Sequence, residues 1–378
     1  MNTFSKLIIT AFMAAALCSH GAWAAEAGTV RILVMDDLER LSLHIPPGYE
    51  VKDETAGSVV KNGDGQGEAA GGTIELDHDD SAAVGVRVKA EGSVVNINDY
   101  ALTGVIEVSR NKKGLFRIIN ELGLEEYVAS VVGEEMSSGW PAEALKAQAV
   151  VSRTYAVYRK AKCKGLDYDL CSTVNSQVFT GGAKEKEGPA LAARATAGEI
   201  LTYNGEPLEA IYHASCGGET EDSKDVWDSS APYLKSRGCD CPDESPYKGW
   251  EKEVPAGDIE KAMQRAGYKL SGITSIKVIK RSATGRAKLV WVETETNEKT
   301  LKGNEFRRVV GYSKLPSTDF TVKKSGGSFI FTGKGSGHGV GLCQWGAKVM
   351  AGRGKSYRDI LAHYYPGSTL EKAADGDR

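Results

Sequence analysis

LEEYVASVVGEEMSSGWPAEALKAQAVVSRTYAVYRKAK, residues 124–162, is the stretch on which the fold reading turns. At about 100° per residue, Leu124, Val128, Val131 and Val132 share one stripe, which predicts a helix over 124–136. Ala-rich sequence predicts a second helix over 142–162, with Pro141 at its first helical position. Glu135 falls in the middle of the apolar stripe, one turn after Val131. Glu134 falls at its edge, beside Tyr127. A carboxyl on an apolar face is costly to ionise, and desolvation raises its pKa. Such a group can stay protonated near neutral pH and act as a general acid. Trp140 is close enough in sequence to wall its pocket. The plain alternatives are a helix that ends before Glu135, leaving the side chain in water, or a structural hydrogen bond to the next helix.

Outward from this pair the texture changes. Residues 29–35, 41–45, 84–88, 94–97, 104–108 and 115–119 alternate as strands do, so 28–120 reads as a small N-terminal β domain. Within it, 52–81 is rich in Gly and Asp and reads as a loop. Its Asn62-Gly-Asp-Gly-Gln-Gly67 run is similar to the opening of a calcium loop, but Thr73 stands where the closing Glu is needed. C-terminal to the pair, a helix is expected over 190–197 and strands over 199–203 and 208–213. Residues 255–324 predict a helix (259–266) and a hairpin (275–280 with 288–295). A Gly-rich strand and turn (329–341), a helix and a final segment (360–365) follow. The expected fold class is α+β: mixed β structure with a helical pair carrying the active site, a small N-terminal β domain and an inserted α+β segment. The units are 1–24, 28–120, 121–250 with 325–370, and 251–324.

Lys and Arg number 47 against 50 Asp and Glu, a net charge of −3. That gives no electrostatic case for nucleic acid as a partner. Residues 1–24 read as a secretory signal: Lys6, an apolar run over 7–17 too short to span a bilayer, and Ala22-Trp23-Ala24 as the cleavage site. The expected location is outside the cytoplasm, in the periplasm or cell-wall space. Removing 1–24 leaves six cysteines, an even number that suggests disulfides in an exported chain. Cys163 and Cys171 bracket a short loop, Cys216 has Cys239 or Cys241 within reach, and Cys343 has no partner by spacing. Around His213-Ala-Ser-Cys216 three readings compete. One is a thiol nucleophile paired with His213. Another is zinc on His213, Cys216, Cys239 and Cys241. The third, which export favours, is a Cys216 disulfide beside a structural or groove-lining His213, with Ser215 and Thr220 facing the groove.

Several strings occur together in order: the 124–156 stretch, SQVFTGG (176–182), IYHASCGGETE (211–221), DVWDSSAPYL (225–234), GKGSGHGVGLCQWGAKVMA (333–351) and ILAHYYPG. This set strongly resembles the stage II sporulation protein D family, which includes the amidase enhancer of cell-wall hydrolysis. The resemblance covers about 124–234 and 328–370, with 255–324 less characteristic. It implies a lytic transglycosylase that acts on peptidoglycan glycan strands lacking stem peptides, with an N-acetylmuramoyl-L-alanine amidase as a possible partner. The family's catalytic Glu precedes the Met of the E-M-x3-W-P-type helix end, which is Glu135 here; Glu134 is the weaker candidate.

For the other motif residues the resemblance implies contact with glycan or support of the acid: Arg153, Tyr155, Gln177, His213, Ser215, His338, Gln344 and Trp345. Each has a plainer reading. Arg153 and Tyr155 can serve helix packing, and His338 can close a tight glycine corner. Some family members carry zinc near the motif that holds Gln177. Here Ser176 precedes Gln177 and no His lies in that stretch, so a Cys163–Cys171 bridge is expected and no cofactor is required. The non-catalytic alternative is a peptidoglycan-binding module that stimulates an amidase.

Overall fold

The computed structural model describes residues 28–373 apart from 46–49, 54–57, 60–71, 78–85, 99, 174–175, 183–185 and 228. The signal-like segment and the Asn62–Gly67 run lie outside the described residues. The architecture is mixed α+β, with eight α-helices and several sheets among the described residues, none closed into a barrel.

The first sheet is built from β1 (Thr29–Leu38), β2 (Arg40–Ile45), β3 (Glu50–Asp53), β4 (Ser58–Val59), β5 (Gly72–Asp77), β6 (Val86–Ile97), β7 (Tyr100–Arg110), β8 (Phe116–Gly123) and β9 (Leu170–Cys171). Its main path runs β4-β3-β6-β7-β8-β1-β9, with β2 bridging β5 and β6. The described residues of two expected strands, 84–88 and 94–97, belong to one bulged strand, β6, paired along β7, while 84 and 85 lie outside the described residues. The expected loop over 52–81 contains β5, whose Thr73, Ile74 and Leu76 pair with β2. Its alternation was masked by the surrounding Gly and Asp.

β8 runs directly into α1 (Leu124–Glu135), and α2 (Ala142–Lys162) follows. Pro141 sits one residue before its expected position, as the N-cap of α2 with φ −53° and ψ 135° rather than as its first helical residue. Leu124, Val128, Val131 and Val132 are all buried, and so are Tyr127 and Ser130 on other faces of α1. The helix is enclosed because α2 and α3 (Glu187–Ala195) pack on both of its sides. β10 (Glu199–Tyr203), β11 (Glu206–Pro207) and β12 (Tyr212–His213) come next, then α4 (Ser223–Trp227). These elements share one hydrophobic cluster with the first sheet, from Val30 to Tyr365.

A second cluster runs from Val254 to Phe331. Around it lie β13 (Trp250–Pro255), α5 (Ala256–Arg265), β14 (Ile273–Arg281), β15 (Ala287–Thr294), β16 (Glu298–Lys302), α6 (Gly303–Val310), β17 (Phe320–Ser325) and β18 (Ser328–Gly333). The hairpin expected here, β14–β15, gains β16 as a third strand. The chain then re-enters the first cluster through β19 (Leu342–Cys343), α7 (Gln344–Gly352), α8 (Tyr357–Tyr364) and β20 (Thr369–Lys372). The segment expected over 360–365 is largely α8, opened by a capping box between Ser356 and Asp359. No described helix is long and apolar enough to cross a membrane.

Candidate active site

Glu135 is the last residue of α1, and Met136 leaves the helix in an extended conformation. The helix therefore reaches Glu135, and its side chain is half-buried rather than turned out to water. It faces a cleft of about 590 Å³. Three donors hold its carboxylate. Tyr212 Oη donates to Oε1 at 3.0 Å, the Val178 N–H to Oε1 at 3.3 Å, and Gln344 Nε2 to Oε2 at 3.2 Å. Burial raises the pKa of Glu135 above the ordinary carboxylate range, while the three donors oppose the rise by stabilising the charged form. Its place at a helix C-terminus acts with burial, because the unpaired carbonyls there disfavour a nearby negative charge.

A two-residue parallel pairing assembles the donors. β12 runs beside β19, with Tyr212 opposite Leu342 and His213 opposite Cys343. This puts Tyr212 and Gln344 side by side over the end of α1, although they are far apart in sequence. Burial and the neighbouring Glu135 charge hold the Tyr212 phenol well above its usual pKa, so it remains a donor. Behind it, Gln177 Nε2 donates to Tyr212 Oη at 3.4 Å, and Tyr127 Oη donates to Gln177 Oε1 at 3.0 Å.

The GSGHGVG corner closes the other wall. Gly337 has φ 105°, and a Cβ there would meet the His213 Cβ at 2.6 Å, so only glycine lets this corner lie against β12. His338 packs between His213 (ring centroids 5.5 Å) and Trp227 (5.1 Å). The Val340 N–H donates to His338 Nδ1 at 3.1 Å, so the proton of the neutral ring sits on Nε2. Burial, with Arg307 nearby, lowers its pKa to about 3, which keeps it neutral. His213 is held neutral in the same way; its Nδ1 bonds Val340 O at 3.1 Å, and its buried Nε2 has no hydrogen-bond partner among the described residues.

Of the residues singled out in the sequence, Glu135, Tyr155, His213, His338 and Gln344 line the cleft. Gln177 is buried one hydrogen bond behind it. Trp140 and Trp345 pack on each other, centroids 4.9 Å apart, with Lys348 over Trp345, and neither is among the lining residues. Ser215 is buried and accepts from Ser245 Oγ at 2.9 Å, away from the lining. Arg153 has no exposed surface. Its guanidinium grips Glu125 at 2.7 and 2.6 Å and also bonds the carbonyls of Ala193 and Glu199, pinning α2 to α1 and to the end of α3. Glu134 lies outside the lining and pairs with Lys186 at 3.5 Å.

The cysteine expectations change. All six cysteines among the described residues are free thiols. Cys163 is buried at the C-cap of α2, while the Cys171 sulfur lies 3.3 Å from Ser176 Oγ. No hydrogen bond joins His213 to Cys216 among the described residues. His213 is committed to Val340, and Cys216 faces other thiols, which removes the geometry of a thiol nucleophile and its base.

Sequence reasoning passed over Tyr212, although it stands inside the quoted 211–221 string. It also passed over Glu209, which lines the cleft and has a pKa raised by burial against the opposing pull of Arg159 and Lys162. Asn304, Arg307 and Tyr312, from the second cluster's side, line the cleft as well. Arg307 donates to the carbonyls of Leu315 and Pro316 at 2.8 Å, with Tyr312 against its guanidinium. No local pattern announces these residues: Glu209 and Tyr212 lie in a segment expected as a plain strand, and α6, which carries Asn304 and Arg307, is not among the expected elements.

An α+β scaffold that presents a partly buried helix-terminal acid to a cleft has clear relatives. The family model described as stage II sporulation protein matches residues 112–203, and one described as a domain of unknown function (DUF8618) matches 232–341. Stage II sporulation protein D of Bacillus subtilis is 34% identical over 270 residues, covering 68% of this chain and 76% of that protein. An uncharacterised protein of Brachyspira hyodysenteriae is 36% identical over 254 residues, covering 66% of this chain and 67% of its own. The amidase enhancer of B. subtilis is 32% identical over 288 residues, covering 64% of this chain but 39% of the enhancer. The chain belongs to the stage II sporulation protein D family.

Proposed function

We propose that this protein is an exported lytic transglycosylase of peptidoglycan, with Glu135 as acid and then base. Family membership and the likeness to an amidase enhancer support a role at the cell wall. The observation that carries the reaction is the Glu135 carboxyl itself: raised in pKa, facing a cleft, and held by donors that suit its ionised form. Protonated Glu135 gives its proton to the glycosidic oxygen between N-acetylmuramic acid and N-acetylglucosamine. The bond breaks through an oxocarbenium-like state, and the carboxylate left behind is stabilised by Tyr212, Gln344 and Val178. That carboxylate takes the proton of the muramoyl 6-hydroxyl as its oxygen closes on the anomeric carbon. The acid is restored, no water is consumed, and a 1,6-anhydro end remains.

The cleft suits strands without stem peptides. Removing a peptide from muramic acid frees its lactyl carboxylate, and Arg307 supplies a cation on the cleft wall. The supply of such strands by an amidase follows from that chemistry.

The experiment compares the mature chain with Glu135→Gln on purified glycan strands with and without stem peptides, followed by mass spectrometry. Anhydro ends from the wild type alone support the reading. Hydrolytic ends, which are one water heavier, or no cleavage by folded wild type, would refute it. The second reading, a non-catalytic enhancer of an amidase, is favoured by the amidase-enhancer likeness. A wild-type chain that binds glycan, leaves it uncut and accelerates an added amidase would establish that reading instead.

A further inference from the structure

The sulfurs of Cys216, Cys239, Cys241 and Cys343 all lie within 4.8 Å of one another. We propose that they form a structural zinc site. Cys216, Cys241 and Cys343 have at most 1% of their surface exposed, and Cys239 is half-buried. Four zinc–sulfur bonds of about 2.3 Å in a tetrahedron set the sulfurs about 3.8 Å apart. Cys216 and Cys241 are 3.4 Å apart, close to that spacing and far beyond the roughly 2.05 Å of a disulfide. The donor set differs from the mixed set weighed on sequence: His213 is not a member, and Cys343, which had no partner by spacing, completes it.

The surroundings suit thiolates. Backbone N–H groups of Cys216 and Gly346 donate to Cys343 Sγ at 3.3 and 3.4 Å, and Cys343 caps the N-terminus of α7. Tyr364 Oη lies 3.2 Å from Cys239 Sγ, and Ser215 Oγ lies 3.6 Å from Cys241 Sγ. Such donors orient and neutralise thiolate ligands. A Cβ on Gly346 would meet Tyr364 Oη at 2.0 Å and Cys239 Sγ at 2.4 Å, so the cradle also excludes any side chain there. Four thiolates leave the metal no open position, which makes the site structural rather than catalytic.

The site ties three segments together. Cys216 follows β12, Cys239 and Cys241 precede the second hydrophobic cluster, and Cys343 ends β19. One ion therefore fastens both ends of the segment that carries that cluster, directly behind the Tyr212 and Gln344 pairing. This inference does not depend on the glycan reaction.

The test uses the mature chain, without a histidine tag, from zinc-replete cells. Metal content by mass spectrometry is expected at one zinc per chain, released together with four thiols by an organomercurial. Cobalt exchange is expected to give the intense thiolate-to-cobalt bands of a tetrahedral all-sulfur site. Cys239→Ser, at the half-buried position, should drop zinc to well below one, while Cys163→Ser and Cys171→Ser should retain it. Because a cysteine variant can fail to fold, the wild-type cobalt spectrum stands as an independent readout. Wild-type protein without zinc and with a disulfide-linked Cys216 peptide would overturn the proposal, as would iron in place of zinc or full zinc retention in Cys239→Ser.

Discussion

Tyr212→Phe isolates one donor of the Glu135 carboxyl while keeping the ring that fills the wall. Tyr212 Oη donates at 3.0 Å, the shortest of the three contacts to this group. The bond is stronger to the ionised form than to the neutral acid. A hydrogen bond to a charged group contributes about 1.5–3 kcal/mol. The Val178 N–H on the same oxygen and Gln344 on the other remain, so the lower end applies. At about 1.4 kcal/mol per pH unit, the Glu135 pKa should rise by about one unit. In the proposed reaction the protonated acid comes first, so activity should be lost as pH rises through that pKa. The alkaline limb of kcat/KM on peptide-free glycan should therefore move up by about one unit in Tyr212→Phe. A carbon-13 titration of the Glu135 carboxyl in ligand-free protein should move by the same amount, with no need for turnover. An unmoved titration, or one displaced to lower pH, would refute the view that Tyr212 stabilises the carboxylate.

Other substitutions separate the remaining roles. Because the folded pKa of Glu135 is raised, its protonation supports the fold at low pH and this support is lost as pH rises through the folded pKa. Glu135→Gln should therefore raise Tm at neutral pH and lose that advantage in acid below the ordinary glutamate range; a Tm gain independent of pH would contradict the burial argument. Arg153→Ala opens a buried void and removes the bonds to the Ala193 and Glu199 carbonyls, and should cost about 2–4 kcal/mol in denaturant unfolding, while Glu125 keeps the Gly198 N–H. Unchanged stability with a raised KM would instead make Arg153 a glycan contact. Glu209→Gln should keep the anhydro product, whereas hydrolytic chemistry that needs a second carboxylate would collapse in this variant. Arg307→Gln should raise KM for peptide-free strands more than for peptide-bearing ones, and an equal effect on both would remove the cation from substrate choice.

The helical pair was legible because its signals are local: α2 spans the expected 142–162, and the apolar stripe led to Glu135 at the end of α1. Helix periodicity carries the direction of a side chain, so a carboxyl on the wrong face stands out. The partners of that carboxyl were harder to read. Tyr212 and Gln344 meet it through a two-residue strand pairing that no propensity scale detects. Arg153 is a different case. A cation in a motif helix reads equally as ligand or packing, and its enclosure by Glu125 and three backbone or hydroxyl acceptors favours packing. Cysteine spacing failed for the same reason as strand pairing: Cys343 reaches the other three thiols across the entire second cluster.

The long reach of the Glu135 contacts also sets an order of events. The acid is separated from Tyr212 by 77 residues and from Gln344 by 209. A chain that emerges N-terminus first can close α1 on α2 early, from local contacts, but Glu135 then has only part of its retinue. The segment bearing the second cluster must be delivered, and α7 placed, before the last donor arrives. A nascent or truncated chain thus carries the acid without the groups that steady its charge. The full set of donors comes only with the folded C-terminal part, where α7 brings Gln344 to Glu135.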